Sequence, residues 1–368
     1  MLLVQKLYAK EFLKVLAILG IGISIVFSFI GLLEKIDELL LFKPPIGLLI
    51  EYTLLGIPKF IRYLLPMATL LSSLFIFSQA IKRMEIVAIK GAGGKMRGIL
   101  SPFIVIGVLI TIFGFVIGET IVPMSSKMMQ SINNQITKKG KEFTFKEGTL
   151  FMRGRDGSVI RIGLYLPDKN ICRDVSIFKF DAEGLREKIV AESAEWKGQS
   201  WMLKNLTIYD IRSGRTTDLQ EQVVTAIESP KIFHEDVWKV EEMTILELIH
   251  YQQRLKEAGF KNTKLTVDIS SRLSFPLVNL FLLLLGISLT LGDTSKKIFQ
   301  RTMSGGVHSN TGFVAAGLGL LISLVYWFGH SFFLSLGYAG TIPPAVAPWI
   351  IPLMFAVVAV YLYRQIPE

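Results

Sequence analysis

One cysteine, Cys172, stands in 368 residues, which excludes an internal disulfide and any cysteine-based metal cluster. The four histidines, His234, His250, His308 and His330, are scattered without metal-ligand spacing. Neither GxSxG nor HExxH occurs, so the nucleophile elbow and the zinc-protease helix are both missing. Lys90-Gly-Ala-Gly-Gly-Lys95 has the look of a phosphate loop, but that motif needs a hydroxyl residue after its lysine, and Met96 follows here. The segment reads as a turn. Acid–base catalysis and ATP binding have nothing to stand on, so an enzyme is not expected, nor a cofactor in this chain. Charge is sparse as well: 19% of residues are ionic, below the roughly 25% of soluble domains. No internal repeat or low-complexity segment is evident.

What is abundant is apolar sequence, at 51% of residues with a mean hydropathy of +0.48. The net charge of +10 invites a nucleic-acid reading. The basic residues instead cluster beside apolar runs, where they orient spans and meet anionic lipid, and no nucleic-acid reader motif accompanies them. A bilayer crossing needs about 20 apolar residues. Val15–Leu33 qualifies, is too long for a signal-peptide core, and is followed by no small-residue cleavage site, so an uncleaved first span is expected. Ile57–Gln79, with Pro66 inside, and Ile99–Ile117 follow; Phe275–Leu291, Gly312–Leu336 and Pro348–Tyr363 close the chain.

Between the two sets of three, apolar runs shorten and charge rises. Thr149–Arg153 and Ser158–Ile162 flank Gly154-Arg-Asp-Gly157, a hairpin signature. Val175–Phe180, Ile189–Ala194, Trp201–Leu203, Leu206–Ile211 and Gln222–Ala226 are further strand candidates, and Thr244–Ala258 reads as a helix stopped by Gly259. The predicted fold is a membrane α-helical bundle of six spans, 3+3, around an inserted β-sandwich or β-jellyroll domain. Its parts are residues 1–123, 124–270 and 271–368.

The basic residues near short loops set the orientation. Lys6, Lys10, Lys14, Lys82, Arg83, Lys90, Lys95, Arg97, Lys296, Lys297, Arg301 and Arg364 all fall on one side, predicting cytoplasmic termini and, in a bacterial inner membrane, a periplasmic β domain. Ile81–Leu100 is the basic stretch between spans two and three, with a helix predicted over 81–98. Its one acid, Glu85, fits two readings: it pairs with an arginine of a partner, or with a neighbouring lysine such as Lys82. Lys35, Lys43, Lys59 and Arg62 lie near the opposite surface, as snorkelling span ends or as a cationic ring for lipid phosphates. Glu34, Asp37 and Glu38 offset part of that charge. Glu119 with Pro123 is a hinge or cap, or a plain helix end. Gly312, Gly317 and Gly319 serve packing inside the chain or a seam against another subunit.

Several local patterns recur in a fixed order. They are Pro58 through Leu65-Pro66-Met67, Glu85 with Ala88-Ile-Lys-Gly-Ala-Gly93, Gly118-Glu-Thr-Ile-Val-Pro123, Ala191-Glu-Ser-Ala-Glu-Trp196, Leu248 to Gly259, Arg272 with Pro276, and Gly337 to Pro344. Together with the 3+3 layout they resemble the LptF/LptG permease family of the lipopolysaccharide exporter, over essentially the whole length; the last three look closer to LptG. The resemblance implies the non-catalytic half of an ABC transporter. It would pair with a second permease, LptF-like or another copy, on an LptB-like ATPase dimer that holds the ATP and magnesium. It would extract lipopolysaccharide and pass it to the β-jellyroll proteins LptC and LptA, with no nucleic acid involved. It implies a coupling role for Glu85, with Arg83 and Lys82 beside it, and a lateral gate and cavity on spans one and five, here Phe27, Ile30, Leu33, Phe313, Leu320 and Leu324. Lys35 and Lys43 are nearest to its phosphate-binding positions. A lipoprotein-releasing ABC subunit is the competing transporter, but that kind carries its large domain after the first span. A scaffold without transport would need neither a docking helix nor spans so rich in Gly and Pro.

Overall fold

The computed structural model describes residues 3–136, 143–146, 149–154, 156–166, 170–181, 184–227, 230, 243–257, 262–292 and 311–367. Two compact units emerge: Met1–Ile132 with Thr263–Glu368, and Asn133–Asn262. The inserted unit is narrower than the expected 124–270, because the helices on both sides continue past the apolar windows. Lys296, Lys297, Arg301, His234, His308 and Gly259 lie outside the described residues.

The first unit holds α1 (Leu3–Leu33), α2 (Ile36–Leu40), α3 (Ile46–Lys82), α4 (Glu85–Gly91), α5 (Met96–Val116), a π-helical turn (Ile117–Ile121) running into α6 (Val122–Ile136), then α8 (Thr263–Leu291), α9 (Thr311–Tyr338) and α10 (Ile350–Arg364). Six of the described helices are long and apolar enough to cross a membrane: Leu3–Leu33, Ile46–Lys82, Met96–Asn133, Thr263–Leu291, Val314–Tyr338 and Ala347–Arg364. Each contains the expected span or most of it. Several are much longer than the apolar run, because a helix continues through polar sequence once nucleated. With 37 residues, α3 is about 55 Å long against a hydrocarbon core of about 30 Å. Pro45, extended at φ −64 and ψ 142, sets its start, eleven residues before the expected Ile57.

Two pillars make the bundle's centre. In α3 and α8, 72% of the most apolar stretch is buried, against 22% in α1 and α9. Lipid tails are as apolar as leucine, so helices associate in membranes by close packing of small residues. Gly286 of α8 lies directly against Ser73 of α3, and a Cβ at Gly107 of α5 would stand 2.6 Å from Leu280. Phe12, Phe77 and Phe103, all fully buried, interlock edge to face, with centroids 5.6 and 5.1 Å apart. Gly319 is an internal packing residue: a Cβ there would sit 2.5 Å from Leu71 of α3. Gly317 has open space within 4 Å.

Among its described residues the second unit carries seven antiparallel strands paired in chain order: β1 (Phe143–Lys146), β2 (Thr149–Arg153), β3 (Val159–Leu166), β4 (Ile171–Asp181), β5 (Gly184–Trp196), β6 (Trp201–Asp210) and β7 (Thr216–Val224). The connections are two to five residues long, enough for hairpins and too short for crossovers. Among the described residues the order is therefore an up-and-down meander. The Gly154–Gly157 hairpin is as expected, with Gly157 at φ 80 and Gly154 N–H donating to Ser158 O at 2.7 Å. The two segments expected around residue 204 are one strand, β6. Inward residues of β3 to β6, among them Ile160, Ile162, Val175, Ile177, Ile189 and Leu203, form one core around buried Trp201. Helix α7 (Ile245–Glu257) opens on a capping box: Thr244 N–H donates to Glu247 Oε2 at 2.7 Å, and Glu247 N–H to Thr244 Oγ1 at 3.3 Å.

Cys172 is fully buried in this core, and burial pushes its thiol well above the ordinary range. The thiolate is the reactive form. In the folded protein a maleimide should label Cys172 at least about tenfold more slowly than in denaturant, without the acceleration between pH 7 and 9 of an exposed thiol. Rapid native labelling, read by mass spectrometry, would contradict this packing.

Candidate functional site

Helix α4 is short and is tied to the rest of the bundle by side-chain hydrogen bonds at both ends. The sequence suggested one helix over 81–98. The structure breaks it twice, leaving seven residues, Glu85–Gly91. Met84 ends α3 in the left-handed region at φ 59, ψ 15, and begins α4 from there. At the other end Gly93, at φ 78, closes a Schellman cap: Gly94 N–H donates to Ile89 O at 2.9 Å and Gly93 N–H to Lys90 O at 3.0 Å. Those two N–H groups are spent on the helix's own carbonyls, so the glycine turn resembling a phosphate loop does not offer them to phosphate.

Ile86 and Ile89 seat α4 on the core cluster that includes Tyr8, Phe12, Phe77 and Phe103. The opposite side presents Met84 and Val87, 65% and 63% exposed. Lys82 and Arg83 are exposed beside it. The cation set against Glu85 is Arg83, with NH1 3.8 Å from Oε1, and the Glu85 side chain is 39% exposed. The other oxygen, Oε2, accepts the Tyr8 hydroxyl of α1 at 2.5 Å. Lys90 Nζ donates to Pro367 O at 2.7 Å, and Gln5 Nε2 to Gly98 O at 2.6 Å. Both chain ends and the 83–95 segment therefore meet at one end of the bundle, as the basic residues suggested.

At the far end, the four cations do not form a ring at one depth. Lys43 is in the turn before α3 at φ 47, and Lys35 lies 5.9 Å over the ring of Tyr52. Lys59 and Arg62 follow seven and ten residues after Tyr52, about 10 and 15 Å along the helix axis. They form a ladder along α3, because the helix starts so early. Glu38's side chain lies outside the described residues, while Glu34 and Asp37 are exposed.

Glu119 is neither a helix end nor a cap. It sits in the π-helical turn within a continuous helix, and Arg272 NH1 of α8 donates to its Oε1 at 3.1 Å and its Oε2 at 3.4 Å. The two side chains are 11% and 6% exposed. The neighbouring Gly118 leaves room for Arg62: a Cβ there would lie 2.9 Å from Nε. An extra residue in a helical turn re-aims side chains, which is why such turns recur at functional sites. The sequence reading missed this pairing, since 153 residues separate its members; two opposite charges in adjoining apolar spans were the available signal.

Among the gate candidates, Phe27, Ile30 and Leu33 are exposed on α1, and Leu320 and Leu324 on α9; the side chain of Phe313 lies outside the described residues. Phe27 also leans on Phe60 of α3 at 6.1 Å. These positions belong to the two spans with the least burial, and both pack on α3.

Removing one member of a buried ion pair strands the other charge, at a cost of about 3–5 kcal/mol, whereas replacing both is often neutral. Glu119→Gln should accordingly lower the thermal unfolding midpoint of the purified protein, and Glu119→Gln with Arg272→Met should recover most of the loss. A double variant as unstable as the sum of the singles would refute the coupling.

Residues 6–365 match the family described as lipopolysaccharide export system permease LptF/LptG. A comparison with curated proteins found no match. Six membrane-capable helices, an inserted antiparallel sheet and a match over nearly the whole length agree: this multi-pass membrane protein belongs to the LptF/LptG family of lipopolysaccharide export permeases.

Proposed function

We propose that this chain is one permease half of an ATP-driven exporter, the LptG-like member, in a bacterial inner membrane. Its termini and α4 face the cytoplasm, and its β unit faces the periplasm. An LptB-like ATPase dimer binds ATP and magnesium and docks on α4. A second permease, LptF-like or another copy of this chain, completes the cavity, and LptC and LptA receive the lipid. The observation that carries this reading is α4 itself. A helix of seven residues whose inner face is anchored and whose outer face shows Met84, Val87 and a half-exposed carboxylate is suited to a partner with an apolar groove and an arginine.

The rest follows from what moving a lipid requires. A chain of acyl carbons holds to the bilayer by about 0.8 kcal/mol per buried CH₂, so a multi-tailed lipid needs a second apolar home before it leaves. The unburied faces of α1 and α9, with Phe27, Ile30, Leu33, Leu320 and Leu324, supply half of one. Lys43, Lys35, Lys59 and Arg62 step along α3, so anionic head groups of different depth meet a cation in turn. The edges of the described sheet, β1 and β7, offer strand addition to a similar domain.

Glu85→Lys should reduce recovery of the ATPase with the purified permease at least about tenfold, since it places two cations face to face, while insertion and Cys172 burial stay unchanged. Met84→Gly is the companion: it relieves the left-handed residue and removes only the exposed side chain, so lost assembly reports docking and not folding. Undiminished assembly in both variants would remove the coupling role of α4.

A further inference from the structure

Tyr8 is the residue in this region that the function has not absorbed. It is 4% exposed and stacks on Phe77 of α3 with centroids 6.1 Å apart and planes 23° from parallel. A tyrosine in such a packed aromatic cluster could as well have been phenylalanine, were its hydroxyl idle. That hydroxyl reaches Glu85 Oε2 at 2.5 Å, across 77 residues of sequence. The carboxylate is thus two-sided. Oε2 is held from within by α1, and Oε1 lies 3.8 Å from NH1 of the exposed Arg83. A cation from outside can take Oε1 without displacing Tyr8. Gln5, three residues earlier and hence on the same face of α1, holds Gly98 O at 2.6 Å in the first turn of α5. Two polar ties from one face of α1 therefore hold the first residue of α4 and the first turn of α5.

We propose that Tyr8 is a positioning residue which transmits displacement of α4 to α1, so that the carboxylate docking the ATPase is also the handle on the first span. The inference rests on α4 being the docking helix. It adds that the coupling is partly direct, through one hydrogen bond to a span most of whose apolar stretch is unburied, rather than wholly through the α3–α8 pillars. Among the described residues, the remaining support of α4 is the apolar seating of Ile86 and Ile89 and the tie of Lys90 to Pro367. None of these reaches α1 through a directional, charge-assisted bond.

The test uses the permease with its co-purifying ATPase, reconstituted in liposomes containing lipopolysaccharide. Tyr8→Phe keeps the ring on Phe77 and deletes the hydroxyl. ATPase assembly and basal hydrolysis are expected to hold within twofold, while lipid released per ATP hydrolysed falls about tenfold, the scale of one hydrogen bond to a charged group. Glu85→Asp shortens the carboxylate by one carbon and keeps its charge, so it should show the same loss per assembled complex. Combining it with Tyr8→Phe should add nothing further. Unchanged release per ATP in Tyr8→Phe would overturn the proposal and leave Tyr8 a core aromatic. A loss of assembly in Tyr8→Phe would overturn it too, since the hydroxyl would then only shape the docking surface. Assembly unaffected by Glu85→Lys would instead show the docking reading itself to be wrong, and with it the handle. If Tyr8→Phe does not accumulate, the ratio measured for Glu85→Asp decides alone.

Discussion

Close approach of α3 and α8 is what the membrane unit depends on. Inside a bilayer no hydrophobic force drives helices together, so stability comes from contact and from polar groups that have no other partner. Gly286 against Ser73 lets the two backbones meet, and the buried hydroxyls of Ser72 and Ser73 are satisfied along α3 by Ala68 O at 2.6 Å and Leu70 O at 2.8 Å. Everything else leans on this pair: α1 and α9 on α3, α5 and α10 on α8. The centre is buried on most sides, while the flanking helices pack on it along one side and leave most of their apolar stretches unburied.

The two ends of the bundle hold charge in opposite ways. At the far end, Glu119 and Arg272 are almost wholly buried and satisfied by each other, which locks the π-helical turn to α8. At the end carrying the termini, Glu85 is held on one oxygen and offered on the other. The first arrangement suits fixed architecture, since breaking a buried pair costs several kcal/mol. The second suits an interface, since a half-exposed carboxylate keeps its charge ready for a partner at little desolvation cost.

How much was legible in the sequence differs by scale. The six spans were, because hydropathy over some twenty residues is a strong signal. Their ends were not: nothing local distinguishes Ile46–Gly56 as helix, and placing Lys59 and Arg62 inside α3 rather than at its start turned a ring into a ladder. The β2–β3 hairpin was legible from its glycines. Strand β6 was read as two pieces because Lys204-Asn205 interrupts its apolar alternation, although cross-strand pairing carries it through. Glu85 was singled out as the unusual acid, yet Tyr8 was passed over. A tyrosine in an apolar run looks like any other aromatic until the fold brings a carboxylate to it.

The exposed faces of α1 and α9 are open to more than one explanation, since any membrane helix shows apolar side chains to lipid. What sets them apart is how little is buried: 22% of the most apolar stretch, against 33% in α5 and α10 and 72% in the pillars. A span that serves only as wall can be buried as deeply as its neighbours allow, and α3 and α8 show that this chain can build such spans. Leaving 78% of the most apolar stretches of α1 and α9 unburied forgoes packing that is the principal source of helix association in a bilayer. That loss is offset if another apolar body covers the faces for part of a cycle. A second permease seated permanently on them would suffice for stability, but it would leave no room for lipid. A face covered by protein in one state and by acyl chains in another satisfies both demands, and it requires that these two spans, rather than the pillars, respond when the short helix at the end of the bundle is pulled.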